Sequence, residues 1–251
     1  MHRKTSTPRA VHLATALTLL ALSSVTCQAE PSDAIPSGCG QIVLVTASDW
    51  NAPTGTLRRL SRSNPNGSWS AVGDPMPVLI GEHGLGWALG LRSIPGGLSP
   101  RKREGDRRSP AGVFYLTAVY CHEKLDRIRM PLLPITAATE AIDDPNSRYY
   151  NRIVDRRDIA HPDWRSSERM ARISDYALCI AVGLNPSRQP GGGSCVFLHR
   201  WRGQRPGTAG CTALRDPDLL TLARWLDPAQ KPVLIQAPRE AAGFLPASLH
   251  F

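Results

Sequence analysis

The stretch Cys195-Val-Phe-Leu-His-Arg-Trp-Arg-Gly-Gln-Arg-Pro-Gly-Thr-Ala-Gly-Cys211 joins a short apolar run to a loop rich in glycine and proline. The run predicts a strand, in which period-two alternation puts Cys195, Phe197 and His199 on one face. A second apolar run, Tyr176–Val182, precedes it across a long loop, and the two runs predict a pair of buried strands. The pattern therefore indicates a β-rich core with His199 at the end of a strand, where a side chain is presented at the rim of a cleft.

The combination of His199 and Cys211 is typical of a cysteine nucleophile with its base. A thiol attacks as the thiolate, and a nearby imidazole can accept its proton. Gly210 permits a tight turn before the cysteine, so that backbone N–H groups can converge on one position. If the two side chains are paired, the thiol is expected to be alkylated well below its unperturbed pKa of about 8.5.

Other interpretations of the same residues stay open. Most cysteines of exported proteins are structural, so Cys211 can be a buried thiol or one half of a disulfide. Taken alone, His199 fits a core histidine bonded to a backbone carbonyl. Cys195, His199 and Cys211 could together hold zinc, but no Cys-x-x-Cys pair and no second histidine lies at ligand spacing. We therefore predict no metal and no cofactor.

Short apolar runs separated by turn residues predict the remaining strands. The predicted strands Thr56–Ser61 and Ser68–Val72 flank an Asn-Pro-Asn-Gly stretch at 64–67, which predicts a hairpin. The predicted strands are Gln41–Ala47, Thr56–Ser61, Ser68–Val72, Pro77–Ile80, Gly112–Ala118 and Lys231–Gln236.

Two helices are predicted, and the clearer one follows Cys211. It begins after an N-cap at Asp216, has Pro217 in its first turn, and carries an apolar stripe of leucines. The other lies near Arg165–Ile173, with Glu168 and Asp175 as surface charges. The fold class is thus mainly β with a few helices.

The N-terminus has the parts of a secretory signal. A basic start precedes the apolar run 11–25, and Cys27-Gln-Ala29 supplies small residues for cleavage. Lipidation at Cys27 is the less favoured alternative, because the residues before it lack the usual leucine and small residue. No later stretch is apolar enough to span a bilayer, so we expect an exported protein, soluble in the periplasm or cell envelope. The predicted organisation is a signal peptide over 1–29, a short leader over 30–37 and one domain over 38–251.

The cysteine count indicates how many free thiols and disulfides to expect. Cleavage removes one of six cysteines, and an odd count in an exported protein points to a free thiol. If Cys211 is that thiol, the other four cysteines can form two disulfides, in any of three pairings. Alternatively, some of these four are buried as free thiols. These four are Cys39, Cys121, Cys179 and Cys195.

The net charge of +9 comes mainly from arginines scattered along the chain. There is no long basic helix and no series of stacking aromatic residues, so nucleic-acid binding is disfavoured. A positive charge is compatible with attraction to an anionic polymer of the cell envelope. The segment 102–112 is a charged turn, either a solvated loop or a cleft wall in which Arg103, Glu104 and Asp106 contact a zwitterionic substrate.

These residues resemble the YkuD-type L,D-transpeptidase catalytic domain, in an envelope-protein branch of that family. The resembling motifs cover most of the chain after residue 40. They are Glu104-Gly-Asp106, Ser109-Pro-Ala-Gly-Val-Phe114, Asp143-Asp-Pro145, Tyr150-Asn151, Trp164–Met170, Gly193-Ser-Cys-Val-Phe-Leu-His199, Thr208-Ala-Gly-Cys211, Trp225-Leu-Asp-Pro228 and Pro232-Val233.

The resemblance implies a β-rich, sandwich-like fold with a nucleophilic cysteine in a cleft. It implies attack on the L-to-D bond before the terminal D-alanine of a peptidoglycan stem tetrapeptide, leaving a thioester that an amine of another stem or of a wall-attached protein resolves. Carbapenems acylate the cysteine of this family. By position, Cys211 is the nucleophile, His199 the base, and Gly210 with Thr208 belongs to the oxyanion site. Predicted substrate contacts are Arg103, Glu104, Asp106, Tyr150, Asn151, Trp164 and Arg215. For Tyr150, Asn151 and Trp164, the sequence alone does not decide between a packing role and a place in the site.

The chain departs from the family pattern beside the nucleophile. The common motif has histidine before the glycine and a polar residue two positions after the cysteine, whereas this chain has Ala209 and Ala213. Arg215 is a candidate for the missing charge. Two alternatives therefore accompany the transpeptidase interpretation: a hydrolytic carboxypeptidase or amidase using the same thioester, and a non-catalytic envelope-binding domain.

Overall fold

The structure is a computed structural model that describes residues 1–2, 35–64, 67–92, 97–201, 206–244 and 249. The chain divides into two units, Met1–Ser32 and Asp33–Phe251, and every element below belongs to the second. Apart from Met1 and His2, the predicted signal peptide lies outside the described residues, and so does the leader up to residue 34. None of the helices in the described ranges is long and apolar enough to cross a membrane.

Strands dominate the described part of the second unit, with one α-helix, α1 (Asp216–Trp225), and several short 3-10 helices. The strands are β1 (Gln41–Ala47), β2 (Thr54–Ser61), β3 (Ser70–Ala71), β4 (Met76–Leu79), β5 (Leu85–Trp87), β6 (Ser109–Cys121), β7 (Leu132–Pro134), β8 (Thr139–Ile142), β9 (Arg152–Asp155), β10 (Glu168–Arg169), β11 (Leu178–Val182), β12 (Phe197–Arg200), β13 (Thr212–Leu214) and β14 (Val233–Pro238). The predicted mainly β fold is confirmed.

The main sheet closes on itself because β1 pairs with both β14 and β2. The ring runs β1-β14-β6-β11-β12-β13-β4-β2 and returns to β1. Closure leaves these strands without free edges and turns one face of each inward. Fully buried side chains such as Val43, Phe114, Ile180 and Leu198 fill this core. In the ring, β12 and β13 are parallel neighbours, which places the strand of His199 beside the strand that follows Cys211.

The helix α1 packs Leu219 and Leu222 into the same core, as its apolar stripe predicts. Its predicted N-cap was wrong: Arg215 has the extended backbone of the cap, and Asp216 is the first helical residue. The Asp216 carboxylate instead accepts two hydrogen bonds from the Arg200 guanidinium. This bidentate pair fastens the start of α1 to the strand that carries His199.

The second predicted helix, near Arg165–Ile173, was also wrong. Glu168–Arg169 forms β10, which pairs with β8 in a separate three-stranded sheet of order β10-β8-β9, and a 3-10 turn follows. The cause is long-range: the buried Glu140 carboxylate on β8 accepts hydrogen bonds from Trp164 Nε1 at 2.9 Å and Ser167 Oγ at 2.8 Å. These bonds tie the segment down beside β8.

The strand predictions were confirmed with small shifts in their ends, and β6 is longer than expected. The predicted orientation of one side chain, that of Cys195, was wrong. Cys195 precedes β12 with a left-handed backbone (φ 48°), and its thiol contacts the Ile142 carbonyl at 3.6 Å. It therefore does not continue the strand alternation that Phe197 and His199 follow.

The five cysteines of the described residues are all free thiols. The alternative with two disulfides is therefore not found. Four of the thiols are buried and Cys195 is half-buried, as expected of cysteines that act as small apolar side chains.

Candidate active site

Cys211 and His199 lie in adjacent parts of the closed sheet. Cys211 immediately precedes β13, and the Phe197 N–H on β12 donates a hydrogen bond to its sulfur at 3.3 Å. Both side chains line a cavity of about 140 Å³. Thr208, predicted for the same site, lines this cavity too, so the structure brings the predicted nucleophile, base and loop residue together.

A larger groove of about 520 Å³ lies on the three-stranded sheet, where Glu140 and arginines form part of its wall. Its arginines pair with carboxylates, as Arg156 does with Glu140 at 3.5 Å. No cysteine, serine or histidine lines it. Size therefore does not identify the reactive site, and the smaller cavity is the one that holds a nucleophile.

The Cys211 thiol is protonated at rest. Burial raises its pKa to about 12, and the nearby Glu168 charge acts in the same direction. The Phe197 N–H, the Tyr176 hydroxyl and the Lys102 charge lower the pKa but do not compensate. This direction is opposite to the lowered thiol pKa expected from a His/Cys pair, because desolvation penalises the thiolate more than its partners stabilise it. The nucleophile needs a base at the moment of reaction.

His199 is held in a defined tautomer. The ring is buried, and its Nδ1 lies 2.8 Å from the Arg200 carbonyl oxygen. A carbonyl oxygen only accepts hydrogen bonds, so Nδ1 carries the proton and Nε2 is the basic nitrogen of the neutral ring. This bond orients the imidazole in the way that a carboxylate does in many catalytic triads.

The loop before Cys211 is fixed by hydrogen bonds of its own atoms. The Cys211 carbonyl accepts from Thr208 Oγ1 at 2.6 Å and Ser109 Oγ at 2.7 Å, and the Gly210 N–H donates to Thr208 Oγ1 at 3.1 Å. Gly210 has φ 146°, and a Cβ there would lie 3.2 Å from the Arg108 carbonyl oxygen. Because the Gly210 N–H and the Thr208 hydroxyl bind within the loop, an oxyanion role for either stays a prediction.

Ser109 gives a first test of this loop. Its fully buried hydroxyl donates to the Cys211 carbonyl and accepts from the Gly81 N–H at 2.8 Å. We expect Ser109→Ala to lower the free energy of unfolding by about 1–3 kcal/mol, because the Gly81 N–H loses its acceptor in a buried place. Urea denaturation checks this, with the exposed Ser166→Ala as the comparison. Equal midpoints for the two variants would contradict the assignment.

Two residues of the cavity were missed by the sequence. Glu168, predicted as a helix-surface charge, lines the cavity from β10, and the buried Tyr176 lines it from the turn before β11. The Tyr176 hydroxyl donates to Glu168 Oε2 at 2.7 Å. Burial raises the pKa of Glu168. No local pattern marks either residue, since β10 has only two residues and its pairing depends on a distant strand.

The charged turn at 102–112 is a loop held together by hydrogen bonds among its own residues. Asp106 accepts from the Lys102 ammonium at 2.6 Å and from the backbone N–H groups of Arg103 and Arg108. Lys102 is buried beneath this turn, with its Nζ 3.8 Å from where a Cβ on Gly210 would lie. Asp106 is therefore a structural clamp, and Lys102 is a buried cation behind the nucleophile loop that the sequence did not single out.

The other predicted contact residues do not line the Cys211 cavity. Glu104 accepts from the Tyr150 hydroxyl at 2.5 Å, and Arg103 is exposed. The Asn151 amide group donates to the Leu184 carbonyl at 2.7 Å and accepts from the Cys195 N–H. These bonds connect three segments of the chain, so the observed role of Asn151 is structural. The remaining two are Trp164, held by Glu140 on the three-stranded sheet, and Arg215, paired with Asp218 at 2.8 Å.

The departures from the family pattern face the cavity. Ala209 and Ala213 both line it, so two positions expected to be polar present methyl groups. Arg215 does not replace the missing charge, because it is exposed and paired with Asp218 at the start of α1. Among the described residues, no group of three His, Cys, Asp or Glu side chains is placed to hold a metal ion.

Comparison with known protein families gives one match. The model of the YkuD family, the L,D-transpeptidase catalytic domain, matches residues 46–235 and so includes β2 to β13 and the whole cavity. No curated protein and no solved structure matches the chain. Because the family model covers well over half of the sequence, the chain belongs to the YkuD family of L,D-transpeptidase catalytic domains.

Proposed function

We propose that the protein is a cell-envelope cysteine acyltransferase that acts on peptidoglycan stem peptides through a thioester on Cys211. The observation that carries this proposal is the cavity that holds the Cys211 thiol together with an oriented imidazole, in a chain of this family. The predicted N-terminal signal supports export to the compartment where peptidoglycan lies.

The proposed acylation uses the two side chains in sequence. His199 Nε2 accepts the thiol proton as the sulfur attacks the carbonyl carbon of the L-to-D bond before the terminal D-alanine. The C–N bond breaks, the leaving amine takes the proton from His199, and the acyl group stays on sulfur. An acceptor amine then attacks the thioester, His199 accepts its proton, and the sulfur leaves and is reprotonated.

The hydrolytic alternative has one observation in its favour. Ala209 and Ala213 place methyl groups in the cavity where polar groups are expected, so fewer hydrogen-bonding groups are present to hold an acceptor amine. Water needs less positioning because it is small and abundant. A carboxypeptidase or amidase would use the same thioester and release a free acid.

The acylation step is tested with a carbapenem and the mature chain. We expect intact-mass analysis to show one covalent adduct in the wild type and in Cys195→Ala, and none in Cys211→Ala. Cys195→Ala is the matched control, because it also removes a thiol of the same core but one whose side chain does not line the cavity. An adduct that persists in Cys211→Ala, or its absence from the wild type, would overturn the thioester proposal.

The acceptor is identified by the products from purified tetrapeptide muropeptides. A crosslinked dimer with released D-alanine supports the transpeptidase, whereas free tripeptide with no dimer supports the hydrolytic alternative. Recovery of unchanged tetrapeptide from an enzyme that a carbapenem does acylate would instead exclude the stem tetrapeptide as the donor.

A further inference from the structure

The groove on the three-stranded sheet carries guanidinium groups in its wall that the proposed reaction does not use. They belong to Arg156, Arg157 and Arg169, and Glu140 adds a carboxylate to the same wall. The turn at 136–138 completes the lining. The groove encloses about 520 Å³, and ligand pockets typically enclose roughly 300–1,000 Å³. The groove is therefore large enough to hold a ligand.

This groove and the Cys211 cavity use opposite faces of strand β10. Successive side chains of a strand point to opposite faces of its sheet. On β10, Glu168 lines the Cys211 cavity and Arg169 lines the groove. The register agrees, because Arg169 lies opposite Glu140 on β8, whereas Glu168 lies opposite the buried Ala141. The groove is therefore a second site, and only the small sheet separates it from the nucleophile.

Glu140 holds two of the guanidinium groups in place. Its side chain is buried, and Oε2 accepts hydrogen bonds from Trp164 and Ser167. Arg156 Nη1 lies 3.5 Å from each carboxylate oxygen, and Arg169 Nε lies 3.8 Å from one of them. Within the described part of the chain, neither guanidinium makes any other hydrogen bond, and about half of each side chain is exposed. Both groups are thus oriented by a buried anchor and keep N–H donors for a ligand.

The charges of the groove leave one positive charge in excess. Arg157 is paired with Asp155, which accepts from its Nε at 2.9 Å and its Nη2 at 2.6 Å, and the charge of Asp158 acts on the same guanidinium. By contrast, Arg156 and Arg169 share a single buried carboxylate. One further carboxylate would balance this pair, and guanidinium groups bind carboxylates through paired N–H donors. A phosphate monoester, with a charge of about −1.5 to −2 at neutral pH, matches the excess less well.

We propose that the groove binds a carboxylate of a peptidoglycan stem peptide other than the one being acylated, with Arg156 and Arg169 as the donors. This inference rests on the function proposed above, because that reaction brings the domain to a polymer whose stem peptides carry carboxylates. Binding on one face of the sheet keeps the enzyme on the wall while Cys211 reacts on the other face. The effective concentration of the reacting peptide is thereby raised.

The test is co-sedimentation of the protein with purified peptidoglycan in about 0.15 M salt, where weak surface attraction is screened. Cys211→Ala is the parent, so that no acyl transfer occurs. A second peptidoglycan preparation has its carboxylates converted to amides. We expect Arg156→Gln and Arg169→Gln each to bind the native polymer about tenfold more weakly than the parent, since each loses a charge-assisted contact. On the amidated polymer the parent and both variants should bind equally.

Arg172→Gln is the matched control, because it removes an exposed guanidinium from the turn after β10 that does not line the groove. The proposal is overturned if the two groove variants bind the native polymer as tightly as this control, or if they lose affinity equally for both preparations. Glutarate and inorganic phosphate serve as competitors at equal ionic strength. Release of the parent by phosphate at a lower concentration than by glutarate would overturn the choice of a carboxylate.

Either groove variant decides alone if the other does not fold, because the two arginines lie on different segments of the chain. Sedimentation of a protein without the thiol does not depend on the thioester, so the result is separate from the carbapenem test. A wild type that forms no carbapenem adduct would end the acyltransferase proposal, whatever the binding to peptidoglycan shows.

Discussion

Replacing His199 with alanine is expected to slow acylation of Cys211 by about 10²–10⁴-fold, the usual contribution of a general base. The effect is large because burial raises the pKa of the resting thiol to about 12, so very little thiolate is present near neutral pH. Without a nitrogen to accept the proton, attack depends on this small fraction. Stopped-flow or quenched mass analysis of carbapenem acylation measures the rate.

A second substitution separates proton acceptance from hydrogen-bond donation at this position. His199→Gln keeps an N–H donor but has no proton-accepting nitrogen, so it should be as slow as the alanine variant. A rate in either variant within threefold of that of the exposed control His122→Ala would contradict the assignment (roughly the smallest change that separates from ordinary surface substitutions).

Much of the architecture around this pair was predictable because it depends on local alternation. The apolar runs of β1, β11 and β12 are buried almost throughout, and such runs form strands wherever they fall in a β protein. Once β12 is a strand, His199 stands near its end, and the glycine-rich loop returns the chain to Cys211. The short sequence distance between the two residues made their proximity a reasonable prediction.

What the sequence did not predict depends on contacts between distant residues. Arg165-Ser-Ser-Glu168 has no period that distinguishes a helix from a two-residue strand, and the side chain that decides, Glu140, lies on another strand. Tyr176 belongs to an apolar run that predicts only a buried side chain. Its hydroxyl has a hydrogen-bond partner because β10 brings Glu168 to it.

The lowered pKa predicted for the Cys211 thiol was wrong for a related reason. A His/Cys pair in sequence suggests a lowered pKa, because the neighbours that can be named from sequence are charges and hydrogen-bond partners. Burial acts on every side and is not visible until the chain is folded. In Cys211 it is the largest contribution and reverses the expected direction.

The buried thiols should make the fold sensitive to alkali. Desolvation raises the pKa of Cys179 and of the half-buried Cys195 well above the ordinary thiol value, and that of Cys211 to about 12. Well below pH 8.5, roughly the pKa of an unperturbed thiol, both the folded and the unfolded chain keep these protons, so the stabilisation is fully present. As the pH rises past 9, the unfolded chain releases protons that the folded chain retains, and the free energy of unfolding falls.

Each such thiol contributes about 1.4 kcal/mol per pH unit, so the three together approach about 4 kcal/mol per unit near pH 10. Guanidinium denaturation in the presence of a reductant, at half-unit steps from pH 7.5 to 10.5, measures this slope (roughly bracketing the unfolded thiol pKa). Cys179→Ala should reduce the slope by about 1.4 kcal/mol per pH unit, even though the substitution also lowers stability at neutral pH by leaving a small cavity. A stability that stays level above pH 9 would mean that these sulfurs do not carry buried protons, as in a disulfide-bonded core. Oxidised and reduced samples would then unfold at different denaturant concentrations, whereas free thiols leave the two identical.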